Sequence, residues 1–246
     1  MSYSVILPTL NEKEHIIELI KAISKVFIDS NTNYEIIVVD DDSTDGTKEE
    51  LKNFENKLDN LRIILRQNQK RSLPQSINDG VAISNHQYLI WLDADFQHPP
   101  EYIKRFIELS QKHKVIVCSR FLQDSKRYFN NDRNNKDYNE NQSVFFNKLC
   151  NKFIFKDISD FTSGFICINK KLLMQHKLKG YYGDYFLNLI YFLKSKKIKI
   201  LEIPFTDHRR KSGFSKTVVR LNLKYIYTCF RYLLTFSTVL IKTKFI

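Results

Sequence analysis

The stretch Tyr88-Leu89-Ile90-Trp91-Leu92-Asp93-Ala94-Asp95-Phe96-Gln97-His98-Pro99-Pro100 passes from an apolar run, through two carboxylates one residue apart, into a proline-opened helix. An apolar strand ending in Asp-x-Asp sets charged oxygens at the carboxyl edge of a sheet, where open α/β folds bind ligands. Two carboxylates there are costly unless a cation or a donor-rich ligand satisfies them. Hard oxygen donors suit Mg²⁺ or Mn²⁺, which in turn favour a diphosphate. Alone, an Asp-x-Asp describes a turn or helix cap equally well, so the rest of the chain decides.

Outward from this stretch, apolar runs rich in Val, Ile and Tyr alternate with helical patterns. Tyr3–Leu7, Tyr34–Val39, Leu61–Leu65 and Val115–Cys118 read as strands like Tyr88–Leu92. Glu12–Phe27 puts Ile16, Ile20, Ile23 and Phe27 on one helix face, and Thr9-x-x-Glu12 fits a capping box. Leu73–Ile83 and Pro100–Ser110 read as further helices. Near-continuous apolar strands separated by helices predict an α/β fold with a parallel, doubly wound sheet covered on both faces. Gln123–Gln142 has no periodicity and nothing to bury, so it reads as a mobile loop. Helices near Val144–Phe155 and Tyr185–Leu193 follow, with strands at Phe165–Ile168 and Ile198–Ile203.

The 246 residues suffice for one large core, and 43% hydrophobic content is ordinary for a soluble protein. The first residues read directly as a strand, so no signal peptide is expected. Cys118, Cys150, Cys167 and Cys229 lie far apart without metal-ligand spacing and read as reduced core residues of a cytosolic protein. Net charge is +12, and from Lys194 onward 13 Lys/Arg face two acids, which accounts for +11 of it. A basic end beside a balanced domain suggests an anionic partner for that end: phospholipid, a phosphate-bearing substrate or nucleic acid.

Strand one runs into Pro8-Thr9-Leu10-Asn11-Glu12, and strand two into Val39-Asp40-Asp41-Asp42-Ser43-Thr44-Asp45-Gly46-Thr47. Carboxylates at two adjacent strand ends can hydrogen-bond a base and a ribose hydroxyl. Asp41 is assigned to ligand binding, and Asp45, before Gly46, to capping the next helix. No Gly-x-Gly-x-x-Gly follows strand one and no Walker lysine exists, which excludes dinucleotide and P-loop sites.

Six motifs in order resemble the inverting family 2 glycosyltransferases of GT-A fold, and within them the polyprenyl-phosphate sugar transferases of dolichol-phosphate mannosyltransferase type. They are Pro-Thr-x-Asn-Glu (8–12), Val-Asp-Asp-x-Ser-x-Asp-Gly-Thr (39–47) and Asp-Ala-Asp-x-Gln-His-Pro-Pro-Glu (93–101). Ser-Arg-Phe (119–121), Asp-x-Thr-Ser-Gly-Phe (160–165) and Arg-x-x-Gly-x-Ser-Lys (210–216) complete the set. The resemblance implies that Pro8, Glu12, Val39 and Asp41 hold the nucleotide. It implies that Asp93 and Ala94 meet the donor, that Asp95 and Gln97 ligate Mg²⁺ or Mn²⁺, and that Arg120, Arg210 and Lys216 bind diphosphate and acceptor phosphate. Arginine forks match phosphate oxygens and lysine adds a point charge, which suits those roles. The chain departs from the family at Leu10, where a tyrosine is usual. It also departs at Arg71–Ser76, where glycines are usual, and at Ile166, where an arginine often stands. His15, His98 and His208 have no catalytic partner in the sequence and read as structural or surface residues.

Beyond Lys216 the pattern is helical. Lys224, Thr228, Arg231, Thr235, Thr238 and Lys242 recur as one polar stripe among apolar residues. The longest uncharged run, Tyr232–Ile241, is ten residues, against ~20 for a spanning helix. Such a helix would lie in a membrane interface, pack on the protein, or pair with a second copy in a homodimer. The expected organisation is a GT-A catalytic domain over 1–205, then a basic donor-closing loop and amphipathic helix over 206–246.

The sequence thus predicts an enzyme that moves a hexose, mannose or glucose, from a nucleotide-sugar to a dolichyl or undecaprenyl phosphate at the cytosolic membrane face. Transfer to a glycan hydroxyl is the alternative; it needs a carboxylate base, for which Asp160 and Asp184 are the candidates. The only tryptophan is Trp91, so the Gln-x-x-Arg-Trp motif of processive synthases is absent. A nucleic-acid-binding module would rest on the basic tail alone, and the acidic strand ends would repel a phosphate backbone.

Overall fold

The computed structural model describes residues 1–127, 138–174, 176–208 and 223–244. Strands β1 (Ser2–Thr9), β2 (Asn33–Asp40), β3 (Leu61–Leu65) and β4 (Tyr88–Trp91) run parallel, with β1 between β2 and β4. With β5 (Val115–Ser119), β7 (Ile166–Asn169) and β8 (Leu201–Pro204) they form one sheet in the order β3-β2-β1-β4-β7-β5-β8. β6 (Lys126–Arg127) pairs separately with β9 (Thr206–Asp207). Helices α1 (Ile16–Asp29), α2 (Thr47–Glu55), α3 (Leu73–Ile83) and α4 (Tyr102–Leu109) follow the first four strands in turn. Helices α5 (Tyr138–Phe153), α6 (Lys170–Leu173), α7 (Asp184–Ser195) and α8 (Leu223–Thr243) complete the order.

Alternation along each strand sends side chains to opposite faces. Val5 and Leu7 of β1 pack with Ile20, Ile23 and Phe27 of α1 and Phe106 of α4. Ile6 between them joins Ile77 of α3, Trp91, Phe186 and Ile190 of α7, and Phe236 and Val239 of α8. Both faces are therefore covered, as the apolar strands require. A Cβ at Gly80 would stand 2.6 Å from Ile6 Cγ2, so glycine is what lets α3 lie this close to the sheet.

The sheet is mostly parallel, with one reversal: β7 runs antiparallel between β4 and β5. The chain leaves β5 and re-enters β7 at the same edge, where Ser119 bonds Ser159 at 2.6 Å and Arg120 binds Asp160. A segment that returns to its departure edge must enter the sheet in the opposite direction.

Three expectations need correction. There is no capping box at Thr9: Thr9 ends β1, its hydroxyl donates to the Leu7 carbonyl, and the Glu12 amide donates to Thr47 Oγ1. Asn11, in the left-handed region at φ 53°, turns the chain there, so α1 begins only at Ile16. Both ends of the stretch Gln123–Gln142, expected as a loop, include regular structure. β6 pairs at Lys126–Arg127, and α5 starts at Tyr138 with a polar first turn that carries no periodicity; residues 128–137 lie outside the described residues. In α8, Thr235 of the polar stripe is buried, whereas Tyr227, Phe230, Leu233, Leu234 and Ile241 are exposed. A buried hydrogen-bond acceptor, Asp184, draws Thr235 inward and turns apolar residues out. Cys118, Cys150 and Cys167 are buried and free as expected; Cys229 is half-buried and also free.

Candidate functional site

The strand order reverses between β1 and β4, and the predicted ligand-binding residues gather at the carboxyl ends on either side of that point. The β1 and β2 ends are stitched together. The Asn11 amide donates to Ser43 Oγ at 2.8 Å, and Asn11 Oδ1 accepts from the Thr44 amide at 2.8 Å. Asp40, fully buried, accepts both the Ser43 amide and the Ser43 hydroxyl and so shapes the turn beneath. Asp45 accepts the Lys13 and Thr47 amides and the Thr47 hydroxyl, the capping role read for it. Burial works upward on its carboxyl, but those bonds outweigh it and lower the pKa.

Asp41 has definite partners. One carboxylate oxygen meets Arg66, and the other accepts the Ser72 amide at 2.6 Å. Arg66 is buried and also bonds Asp79 at 2.9 Å. Burial pushes the Asp41 carboxyl above its usual range despite these donors. Arg66 escaped sequence reasoning; an arginine right after an apolar strand, opposite three aspartates, was the available signal. Pro8 and Glu12 border the same region, Pro8 half-buried and Glu12 nearly buried, while Val39 lies in the core beneath it.

After β4 the chain forms a tight turn. The Gln97 amide donates to Asp95 Oδ1 and the Asp93 amide to His98 Nδ1, each at 3.0 Å. Phe96 between them sits at φ 63°, a strained conformation for an aromatic residue. Asp95 is 1% exposed, whereas Asp93 and Gln97 are half-buried; Ala94 is buried. Two carboxylates and a carboxamide on one turn form an all-oxygen donor set, which fits a hard divalent cation. His98 Nδ1 is committed to the Asp93 amide and adds no ligand to that set.

Arg120 follows β5 and forms a fork on Asp160, with Nε and Nη2 each 2.8 Å from a carboxylate oxygen; Nη2 also donates to Thr162 Oγ1. Burial opposes both charges, but each holds the other: the Arg120 pKa is raised and that of Asp160 lowered. Glu202 of β8, which sequence reasoning missed, accepts the Ser159 and Asp160 amides and fixes the Asp160 backbone. Asp184 is fully buried and accepts the Tyr181 and Tyr182 amides and the Thr235 hydroxyl. His15 is nearly buried with its ring edge against Phe96, and His208 is exposed. The predicted Arg210 and Lys216 lie outside the described residues.

A mostly parallel sheet with acidic loops at its switch point and an Asp-x-Asp turn after its fourth strand defines a GT-A glycosyltransferase. Residues 4–176 match the family described as Glycosyl transferase family 2, and the chain belongs to that family. It is 29% identical over 242 residues to a dolichol-phosphate mannosyltransferase of Pyrococcus furiosus, covering 94% of this chain and 63% of that protein. It thus spans less than two thirds of that relative's length. A Saccharomyces cerevisiae protein of the same name is 29% identical over 233 residues, covering 92% of this chain and 85% of its own. Glucosyl-3-phosphoglycerate synthase from Mycobacterium tuberculosis superposes with a TM-score of 0.70 at 15% identity, over 97% of this chain and 79% of that one. This last likeness concerns the fold. Structures of that synthase hold UDP with Mn²⁺ or Mg²⁺.

Proposed function

We propose that this chain transfers a hexose, mannose or glucose, with inversion, from a nucleotide-sugar to a polyprenyl phosphate, dolichyl or undecaprenyl, at the cytosolic surface of a membrane. One observation carries the choice of acceptor. The two carboxylates named from the sequence as candidate bases for a neutral hydroxyl are both committed, Asp160 to Arg120 and Asp184 to three donors. A phosphate monoester needs no such base, because its second pKa lies near ~6 and it is anionic at neutral pH. The names of the two mannosyltransferase relatives favour the same acceptor class.

In this reading Pro8, Glu12 and Asp41 form the nucleotide pocket and Val39 supports it from the core beneath, with Arg66 and the Ser72 amide fixing the Asp41 carboxylate. Asp93 and Ala94 meet the donor, and Asp95 and Gln97 hold Mg²⁺ or Mn²⁺. When bound, the cation neutralises charge on the departing diphosphate. Arg120, oriented by Asp160, supplies a fixed positive charge beside the reacting phosphates, with Arg210 and Lys216 as further cations. Catalysis is positioning and charge stabilisation rather than proton removal.

Membrane contact would come through α8. No helix among the described residues is long and apolar enough to cross a membrane. Tyr227, Phe230, Leu234 and Ile241 lie along one exposed line of that helix, in a segment rich in Lys and Arg. Apolar side chains backed by basic ones match an anionic bilayer surface. The test is transfer from GDP-mannose, UDP-glucose and related donors to polyprenyl phosphate in vesicles with Mn²⁺. The expected product is a lipid-linked sugar phosphate. Transfer to a glycan hydroxyl, with none to the lipid phosphate, would overturn the reading.

A further inference from the structure

His98 is nearly buried, and its ring lies flat on Phe165, with centroids 4.9 Å apart and planes 14° from parallel. The Phe205 ring meets it at 5.7 Å, edge to face. Phe165 is itself wedged against Phe106 at 5.1 Å. Stacked in this way, the imidazole has its ring plane fixed.

Within that plane Nδ1 faces the Asp93 amide, 3.0 Å away. A backbone N–H always donates, so Nδ1 accepts and the neutral ring carries its hydrogen on Nε2. The contact closes the turn from within: it joins the first residue of Asp-x-Asp to a side chain five positions later. Asp95 and Gln97 stand between these two anchors, with Phe96 held at φ 63°. A strained backbone persists only where its surroundings over-determine it.

We propose that His98 is a positioning residue for the divalent-cation turn. Its Nδ1 fixes the Asp93 amide, and thereby the spacing of the Asp93 and Asp95 carboxylates and the Gln97 carboxamide. The proposal rests on the cation reading of Asp95 and Gln97. It also separates His98 from an ordinary core aromatic, whose replacement by phenylalanine would be mild.

Two variants divide acceptor from ring. His98→Phe keeps the stack and removes the acceptor. His98→Asn removes the ring but keeps an acceptor, Oδ1, the same number of bonds from the backbone. Mn²⁺ is titrated into the full chain with GDP and, separately, UDP, following loss of the free-ion EPR signal. Exchange of the Asp93 amide is measured on metal-free protein. Disturbing a side chain that orients metal ligands weakens affinity by about 10- to 100-fold, so His98→Phe should weaken Mn²⁺ by at least about tenfold and speed amide exchange. His98→Asn should restore most of both. Wild-type behaviour of His98→Phe, or equal losses in the two variants, overturns the proposal. Should His98→Phe fail to fold, His98→Asn decides alone: near-wild-type affinity supports the acceptor role, and a tenfold loss overturns it. If the wild-type chain takes up Mn²⁺ with neither nucleotide, the cation reading fails, and with it the positioning of ligands; amide exchange still reports the hydrogen bond itself.

Discussion

The Thr235 hydroxyl donates to Asp184 Oδ2 across 3.0 Å, joining α8 to the first turn of α7 inside the protein. Asp184 Oδ1 holds the Tyr181 and Tyr182 amides, so one carboxylate fixes both a helix start and the docking of a second helix. Tyr185, next in the chain, accepts the Trp91 indole N–H at 3.0 Å, two residues before Asp93. The seat of α8 thus lies one side chain away from the strand that carries the site.

Asp184→Asn should therefore be a stability variant. Asparagine keeps an oxygen for the two amides, and the Thr235 hydroxyl can reverse to accept from its amino group. Loss of charge assistance should cost about 1 kcal/mol in urea unfolding, with turnover largely retained. Arg120→Ala should lower turnover about 10²-fold or more, because a fixed charge at the reacting phosphates is gone. A larger turnover loss in Asp184→Asn than in Arg120→Ala would point to a base and to a hydroxyl acceptor.

Asp160→Ala should destabilise the fold by about 3–5 kcal/mol, since it leaves the Arg120 charge without its partner. The sign of the pH dependence follows from the lowered pKa of Asp160. A depressed folded-state pKa contributes stability above the ordinary aspartate value of 3.8, and that stability is lost as pH falls through the folded value. The stability gap between wild type and Asp160→Ala should be full at pH 7 and narrow below about pH 4. A gap that widens on acidification would contradict the ion pair.

Asp95→Asn should abolish cation-dependent binding of the nucleotide-sugar while the fold stays intact. The Gln97 amide retains an acceptor in asparagine, so the turn persists and the lost quantity is negative charge. Donor affinity compared with and without EDTA checks this; equal EDTA sensitivity in both proteins would exclude Asp95 as a ligand.

Phe230→Glu combined with Leu234→Glu should abolish sedimentation with anionic vesicles and leave donor affinity unchanged. Both side chains are exposed, so no core contact is lost, and the two charges oppose an interface in which each Lys or Arg contributes about 1 kcal/mol. Unaltered vesicle binding would assign this face to something other than a membrane. Substitution is the sharper test than truncation, because Phe236 and Val239 of the same helix belong to the core.

Local pattern determined much of this protein. Five apolar runs and their intervening periodicities determined the β1–β5 framework, because a strand buried on both faces must be apolar at almost every position. The carboxylates after β1, β2 and β4 marked the ligand edge, because charge at the end of an apolar strand has nowhere else to lie. Tertiary structure decided what those side chains could do. Arg120 and Asp160 are forty positions apart, and Asp184 and Thr235 fifty-one, so neither pairing leaves a periodic trace. Each is settled only when the chain closes on itself. The reversal of β7 and the inward turn of Thr235 arise in the same way, from where a segment must return and which buried acceptor it meets. His98 shows the boundary most directly. Its motif named it, but only the closed chain laid its ring on Phe165 and set its Nδ1 against the Asp93 amide.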